Sequence, residues 1–455
     1  PTTHFPIGPH SFFVRAQDRH GAWSDSVETT GTIESFHTQA GFPTSKTIKF
    51  TDLDGSEVTI KFNNVTANLV FCGDFHDLLV SGTTTTILDD TNLLYIQLLN
   101  SNPSGKISFN VKNGDGQTTL AGLTGGSLGK LNGKNVDLIG DIDLTGSLSF
   151  LALDDIEPNV SVAAGAPSPK GIKINADQIS DQVHFNLKDN VKKFQTSTFQ
   201  GGSLVADVIN NMKVKEGNLD ADVSANVGEI NKLFAGGSIR GNINSATSIN
   251  SIISKTGGIN ENILISAQLG NIRKITAAKT IAARITSQRS IGNITSKTGG
   301  FTGEAHAKEN IGIIKVGDFQ GALIAAGRNI NHVNAAGNIA ASFILAGYDS
   351  DAMRLGDGQV NQVTANGTFI GSCISAGVLP PVSSLPVVLP GVQPPYTGLG
   401  HSGNIGKVKF GAIDQNATDD FGLYAANEIK PVQIGTQTFN ESNLALKFFL
   451  EDNLG

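Results

Sequence analysis

The chain is poor in cysteine, tryptophan, methionine and charge, and it has no long apolar run. Its two cysteines, Cys72 and Cys373, lie far apart and show neither metal-ligand nor redox spacing. They read as small buried apolar residues, not as a disulfide. The nine histidines stand singly, so no zinc pair forms. A nucleophile elbow, a phosphate-binding loop and a dinucleotide fingerprint are all missing. No stretch reaches the roughly 18 apolar residues of a membrane-spanning helix. The net charge is −7 and no basic run marks the sequence, which argues against a nucleic-acid partner.

Glycine is abundant, at 53 of 455 residues, and a repeat accounts for it. In register, the sequence shows Val227-Gly-Glu-Ile230, Ile249-Asn-Ser-Ile252, Leu269-Gly-Asn-Ile272 and Ile291-Gly-Asn-Ile294. Ile311-Gly-Ile-Ile314, Ile330-Asn-His-Val333 and Val360-Asn-Gln-Val363 continue it. A period of about 20 residues decides architecture before any local reading. In a plain strand, residues i and i+3 face opposite sides. A left-handed bend at the Gly or Asn of i+1 would let both aliphatics point inward, with the polar i+2 residue outward. A second glycine corner follows at Gly236-Gly237, Gly257-Gly258, Gly299-Gly300, Gly317, Gly337 and Gly367. Strand, corner, strand, corner is one coil of a parallel β-solenoid (β-helix). A leucine-rich repeat has a similar period, but its leucine-dominated strand and helical return are missing here.

Taken in order, residues 1–34 read as partial Ig-like or fibronectin type III-like strands, with Gly8 to Asp18 and Gly21 to Ser26 as one hairpin. They are either the end of an upstream domain or strands that complete a neighbour's sheet. The chain begins at Pro1 without an initiator Met or a signal peptide, and is expected to be part of a longer or processed product. Residues 35–120 read as an antiparallel β cap over the solenoid's first coil. Within it, Asp52-Leu-Asp-Gly55 turns one hairpin, and Asn113-Gly-Asp-Gly116 follows the same logic. Residues 121–411 read as solenoid, starting with Leu128-Gly-Lys-Leu131 and Leu148-Ser-Phe-Leu151. Val191-Lys-Lys-Phe194 and Ile209-Asn-Asn-Met212 follow, Ile405-Gly-Lys-Val408 comes last, and the register is lost between Asp154 and His184. Residues 412–455 read as a C-terminal cap.

Two long coils carry insertions, 347–358 and 378–400, which both leave after an aliphatic-x-Ala-Gly corner. The first holds Asp349, Asp351 and Asp357, and the hairpin turn holds Asp52, Asp54 and Glu57. Both groups are calcium candidates, since hard carboxylates suit that ion, although solvated turns explain them more simply. No other cofactor is implied. The second insertion interleaves proline with valine and leucine, which favours an extended segment. Tyr348, Met353, Pro380, Pro381, Pro394, Pro395 and Tyr396 are the candidate interaction face, because insertions gathered on one side of a solenoid commonly bind. No catalytic residue is assigned: the acids do not recur at one coil position, though a cluster built across coils remains compatible with the pattern. Six Asn-x-Ser/Thr sequons, at Asn64, Asn159, Asn293, Asn366, Asn416 and Asn440, match what this composition gives by chance.

Phe-Thr-Asp-Leu-Asp-Gly-Ser-Glu-Val-Thr at 50–59, the aliphatic-Gly-x-aliphatic coils and the insertions after Ala-Gly carry a family likeness. Together they resemble the large secreted β-helical surface proteins of planctomycete-type bacteria, which string fibronectin-like, cadherin-like or Calx-β modules ahead of a β-helical region. The resemblance implies a secreted, cell-surface, non-catalytic structural or adhesive module that contributes to a surface layer, filament or matrix. Its expected partners are itself, neighbouring surface proteins or glycans. The alternative is a carbohydrate-binding or carbohydrate-cleaving solenoid like tail-spike and lyase folds.

Overall fold

The structure is a computed structural model that describes residues 8–14, 27–33, 35–40, 46–72, 78–349, 354–378, 401–414, 422–440 and 449–451. Strands make up its regular structure, and no helix occurs among the described residues. The chain is a parallel β-solenoid. It divides into two compact units, Pro1–Asp177 and Gln178–Gly455.

In the first unit, Gly8–Val14 pairs antiparallel with Val27–Ile33, and Ser35–Ala40 with Ala67–Cys72. Thr47–Thr51 and Glu57–Asn63 form the expected hairpin, turned by Gly55 at φ 90°. The strand Asn102–Lys112 converts the cap into the solenoid. One of its edges runs antiparallel to Glu57–Asn63, and the other runs parallel to Leu128–Asn132. From there Leu128 stacks on Leu148 and Leu131 on Leu151.

Two expectations for this unit need correction. The Asn113–Gly116 turn closes no hairpin, because Thr118–Leu120 beyond it pairs in parallel with Val136–Leu138. Asn113, Gly114 and Gly116 all have positive φ and turn the chain through a coil corner. Nor is the register lost after Asp154: Ile174 of Ile172–Asn175 stacks on Leu151. That coil was hidden because its aliphatics, Ile172 and Ile174, stand two apart and not three.

In the second unit each coil has three hydrogen-bonded stretches. One coil consists of Ile291–Ser296, a single bridging residue Phe301, and Glu304–Ala307. Its interior is columnar. Ile249, Ile272, Ile291, Ile311, Ile330 and Val360 form one column. Ile252, Ile275, Ile294, Ile314, Val333 and Val363 form the next. The third side is a mixed column of isoleucine, leucine and phenylalanine, including Ile259, Ile281, Phe301, Phe319, Ile339 and Phe369. Phe369 stacks at 4.4 Å on Phe410, the register partner of Ala365. The buried Ser245, Ser254, Ser287 and Ser296 each donate Oγ–H to a backbone carbonyl, so these polar groups are satisfied inside the core.

These columns shift the repeat by three residues in two coils. Ile230 stacks on Ile249 and Ile272 on Ile291, whereas Val227 is 66% and Leu269 70% exposed. The inward pairs are therefore Ile230/Leu233 and Ile272/Ile275. Val227-x-x-Ile230-x-x-Leu233 and Leu269-x-x-Ile272-x-x-Ile275 each offer three aliphatics at equal spacing, so the pattern alone fits either register. Elsewhere both aliphatics of the quartet are buried and the i+2 residue faces out, as at Asn293 and His332.

The reason for Gly or Asn at i+1 also differs from expectation. None of Asn231, Asn250, Gly292, Gly312, Asn331 or Asn361 has positive φ. At Gly292 and Gly312 a Cβ would lie 2.4 and 2.3 Å from the carbonyl oxygen of the residue stacked beneath. Glycine is required there by how closely the coils approach. Where asparagine fills the slot it forms a ladder: Asn250 Nδ2 donates to Asn231 Oδ1 at 2.6 Å, and Asn231 Nδ2 to Asn210 Oδ1 at 3.0 Å. The second corner has its own ladder, in which Gly317 N donates to Gly299 O, Gly337 N to Gly317 O and Gly367 N to Gly337 O.

Candidate functional site

Three places gather polar or irregular features, and none of them is a run in the sequence. The first is the hairpin turn of the first unit. Asp52 is 3% exposed, and its Oδ1 accepts from Ser56 N at 2.9 Å. Asp54 Oδ1 accepts from the same N–H at 2.9 Å. Burial and the hydrogen bond to Asp54 raise the Asp52 carboxyl to about 6, while that same bond lowers Asp54. Asp52 is therefore the carboxyl of the pair that takes up a proton first as pH falls. Asp115, from the Asn113–Gly116 corner, joins them by accepting from Ser56 Oγ at 3.2 Å. Asp52, Asp54, Asp115 and Asp137 line one cleft of about 290 Å³. Glu57 stays apart: it is exposed, in register with Thr51 and Lys112.

Next to this cleft, Asp154, Asp155 and Asp177 bring ligand atoms within 4.8 Å of one another, at the ends of stacked strands. Gln117 Nε2 donates to Asp154 Oδ2 at 3.0 Å. Sequence reading could not find this trio, because it belongs to two successive coils. It lay in the stretch where the aliphatic pattern fades.

The second place is where the insertions leave. In Phe343–Ala346, Cys373–Ala376 and Gly422–Ala425 the residues of both faces are buried, unlike the alternating Arg284–Ser287. Phe343, Leu345, Cys373 and Tyr424 form a second apolar layer outside the coil, together with Tyr348 and Val378. Tyr348 is only 2% exposed, so this member of the predicted interaction face is internal packing. The Ala-Gly corners stack, with Gly377 N donating to Ala346 O, and the far ends meet, with Gly358 N donating to Ser402 O. Asp357 is committed to that junction. Its Oδ1 accepts from Ser402 N at 2.7 Å, and this bond holds its carboxyl below the usual range. Asp349 lies opposite Arg354 in the short ribbon Tyr348–Asp349/Arg354–Leu355. Neither residue belongs to a three-acid group among the described residues. Asp351, Met353, Pro380, Pro381, Pro394, Pro395 and Tyr396 lie outside the described residues.

The third place was not anticipated by residue. Arg284 and Glu304 are register partners on adjacent coils, and Arg284 Nε lies 3.3 Å from Glu304 Oε2. His306 Nε2 is 3.0 Å from the same oxygen. Arg284 and Glu304 line a cleft of about 440 Å³ with Glu261, Asn262 and Thr302. Acid, amide, hydroxyl and guanidinium groups that converge in this way can hydrogen-bond a polyhydroxylated ligand. The signal is a pairing across one period, which is visible only once the register is known.

Cys373 is buried, and the side chain of Cys72 lies outside the described residues. No protein family, curated protein or solved structure matches the chain, so its function has to be read from its own geometry.

Proposed function

We propose that this chain is a non-catalytic structural or adhesive module of a secreted cell-surface protein, assembling with itself or with neighbouring surface proteins into a layer, filament or matrix. The observation that carries the reading is the stack itself. Within each unit, parallel backbone ladders, asparagine and glycine ladders and aliphatic columns tie each coil to the next, so the stack is held by contacts between neighbouring coils. The antiparallel cap occupies one edge of the first coils, which limits unplanned strand pairing there. Much of the chain's irregularity is gathered where the insertions leave. Electron microscopy and light scattering of the purified protein test the reading: ordered lattices or filaments support it, and a monodisperse monomer at every concentration and salt rejects it.

The cleft lined by Arg284 and Glu304 favours a second reading, a carbohydrate-binding or carbohydrate-cleaving solenoid. A glycan panel with product analysis separates the two. Release of shorter sugars that is lost in Glu304→Gln would replace the structural reading with an enzymatic one.

A further inference from the structure

The first unit carries a lysine face. Its sheet runs through Thr47–Thr51, Glu57–Asn63, Asn102–Lys112, Leu128–Asn132, Leu148–Ala152 and Ile172–Asn175 as consecutive neighbours. In these six strands the charged residues are Lys49, Lys61, Lys106, Lys112, Lys130 and Lys173, against a single acid, Glu57. The chain as a whole has the opposite balance, 33 basic to 40 acidic residues. All six lysines occupy outward positions of the alternation; five are exposed and Lys130 is half-buried. None forms an ion pair with a described residue. The sequence hid this face because its lysines are spread over residues 49 to 173 and meet only through strand pairing.

Two features make the face more than scattered solvated charge. Lys49, Lys61 and Lys112 line one cleft of about 690 Å³ with Thr47, Thr59 and Ser108, and no acid among the described residues lines it. A second row crosses the strands in register: Asn63, Lys106, Lys130, Phe150 and Lys173. In that row Lys130 Nζ sits 4.8 Å from the centroid of the Phe150 ring. From the first strand to the sixth the face spans about 24 Å, at the usual strand spacing of roughly 4.8 Å.

The geometry points to a binding groove for an acidic polysaccharide on this lysine face. A polyuronate presents one carboxylate per sugar, at a repeat close to the strand spacing, and its hydroxyls match the threonine, serine and asparagine side chains between the lysines. Nucleic acid fits less well. The six strands carry no arginine, and their outward ring, Phe150, is taken by Lys130, where single strands call for a row of stacking aromatics.

The test uses the full chain, with polygalacturonate, fully methyl-esterified polygalacturonate and single-stranded DNA as probes in a calorimetric or biolayer titration. Polygalacturonate binds, weakens as salt rises, and weakens at least tenfold in Lys49→Gln/Lys61→Gln/Lys106→Gln. A control triple on the second unit, Lys255→Gln/Lys279→Gln/Lys297→Gln, keeps wild-type affinity. Unchanged thermal unfolding of both triples separates loss of charge from loss of fold. Equal binding of the esterified polymer, equal or tighter binding of DNA, equal loss in the control triple, or no binding at all would each overturn the assignment.

Discussion

The most discriminating perturbation is a pair of alanine substitutions three residues apart, Leu269→Ala and Ile272→Ala. Both residues belong to one evenly spaced aliphatic run, but only one is inside. Ile272 is 0% exposed and lies between Ile249 and Ile291. Truncation removes three carbon groups at about 0.8 kcal/mol each, and the stacked neighbours on either side limit collapse into the void, for a total of about 3.5 kcal/mol. Leu269, at 70% exposure, loses little contact, and its truncation costs less than about 0.5 kcal/mol. Solenoid coils need not unfold together, so the assay is native-state hydrogen exchange of the amides in the coils on either side. Ile272→Ala should speed exchange there by roughly two to three orders of magnitude, with Leu269→Ala near wild type. Equal effects, or a larger one at Leu269, would refute the register and with it the two columns.

Three further outcomes follow from the same geometry. Gly312→Ala should destabilise by about 1–3 kcal/mol in denaturant unfolding, because its Cβ meets a carbonyl. A glycine with ordinary φ and free space would instead gain about 0.4–1 kcal/mol on the same change, so the sign decides. Asn250→Asp should cost about 1–3 kcal/mol in the same experiment. It removes the amide that donates to Asn231 Oδ1 and Glu229 Oε2, and places a carboxylate against both; a neutral result would remove the asparagine ladder from the account. Asp52 binds its proton more tightly folded than unfolded, so its contribution is fully present below the ordinary carboxylate range and is lost as pH rises to about 6. Asp52→Asn should flatten that fall in a stability–pH profile, and an unchanged slope would contradict the raised Asp52 carboxyl.

The architecture was legible in sequence because a narrow coil interior demands the same residue type at the same place in every turn. The Leu128, Leu148, Ile291, Ile311 and Ile330 quartets stack as the period implies. The period failed where aliphatics were too many, as at Val227 and Leu269, or spaced by two, as at Ile172 and Ile174. It also assigned the wrong cause to Gly292 and Gly312, since a contact with the coil beneath leaves no local signature. The site features were largely illegible for a related reason. Arg284 and Glu304, or Asp154 and Asp177, become neighbours only after the chain has gone round once. Tyr348 looked like a loop residue, yet it packs on a second layer whose outward Phe343 and Leu345 sit in a strand with no polar face.

Cysteine cross-linking across one turn measures the stack directly. In the structure Thr276 lies beside Thr295, and Arg273 beside Gly292. Thr276→Cys/Thr295→Cys should close a disulfide under mild oxidation, as mapped by peptide mass, while Arg273→Cys/Thr295→Cys should stay open. The reverse result would place Leu269 inside the coil and contradict the account.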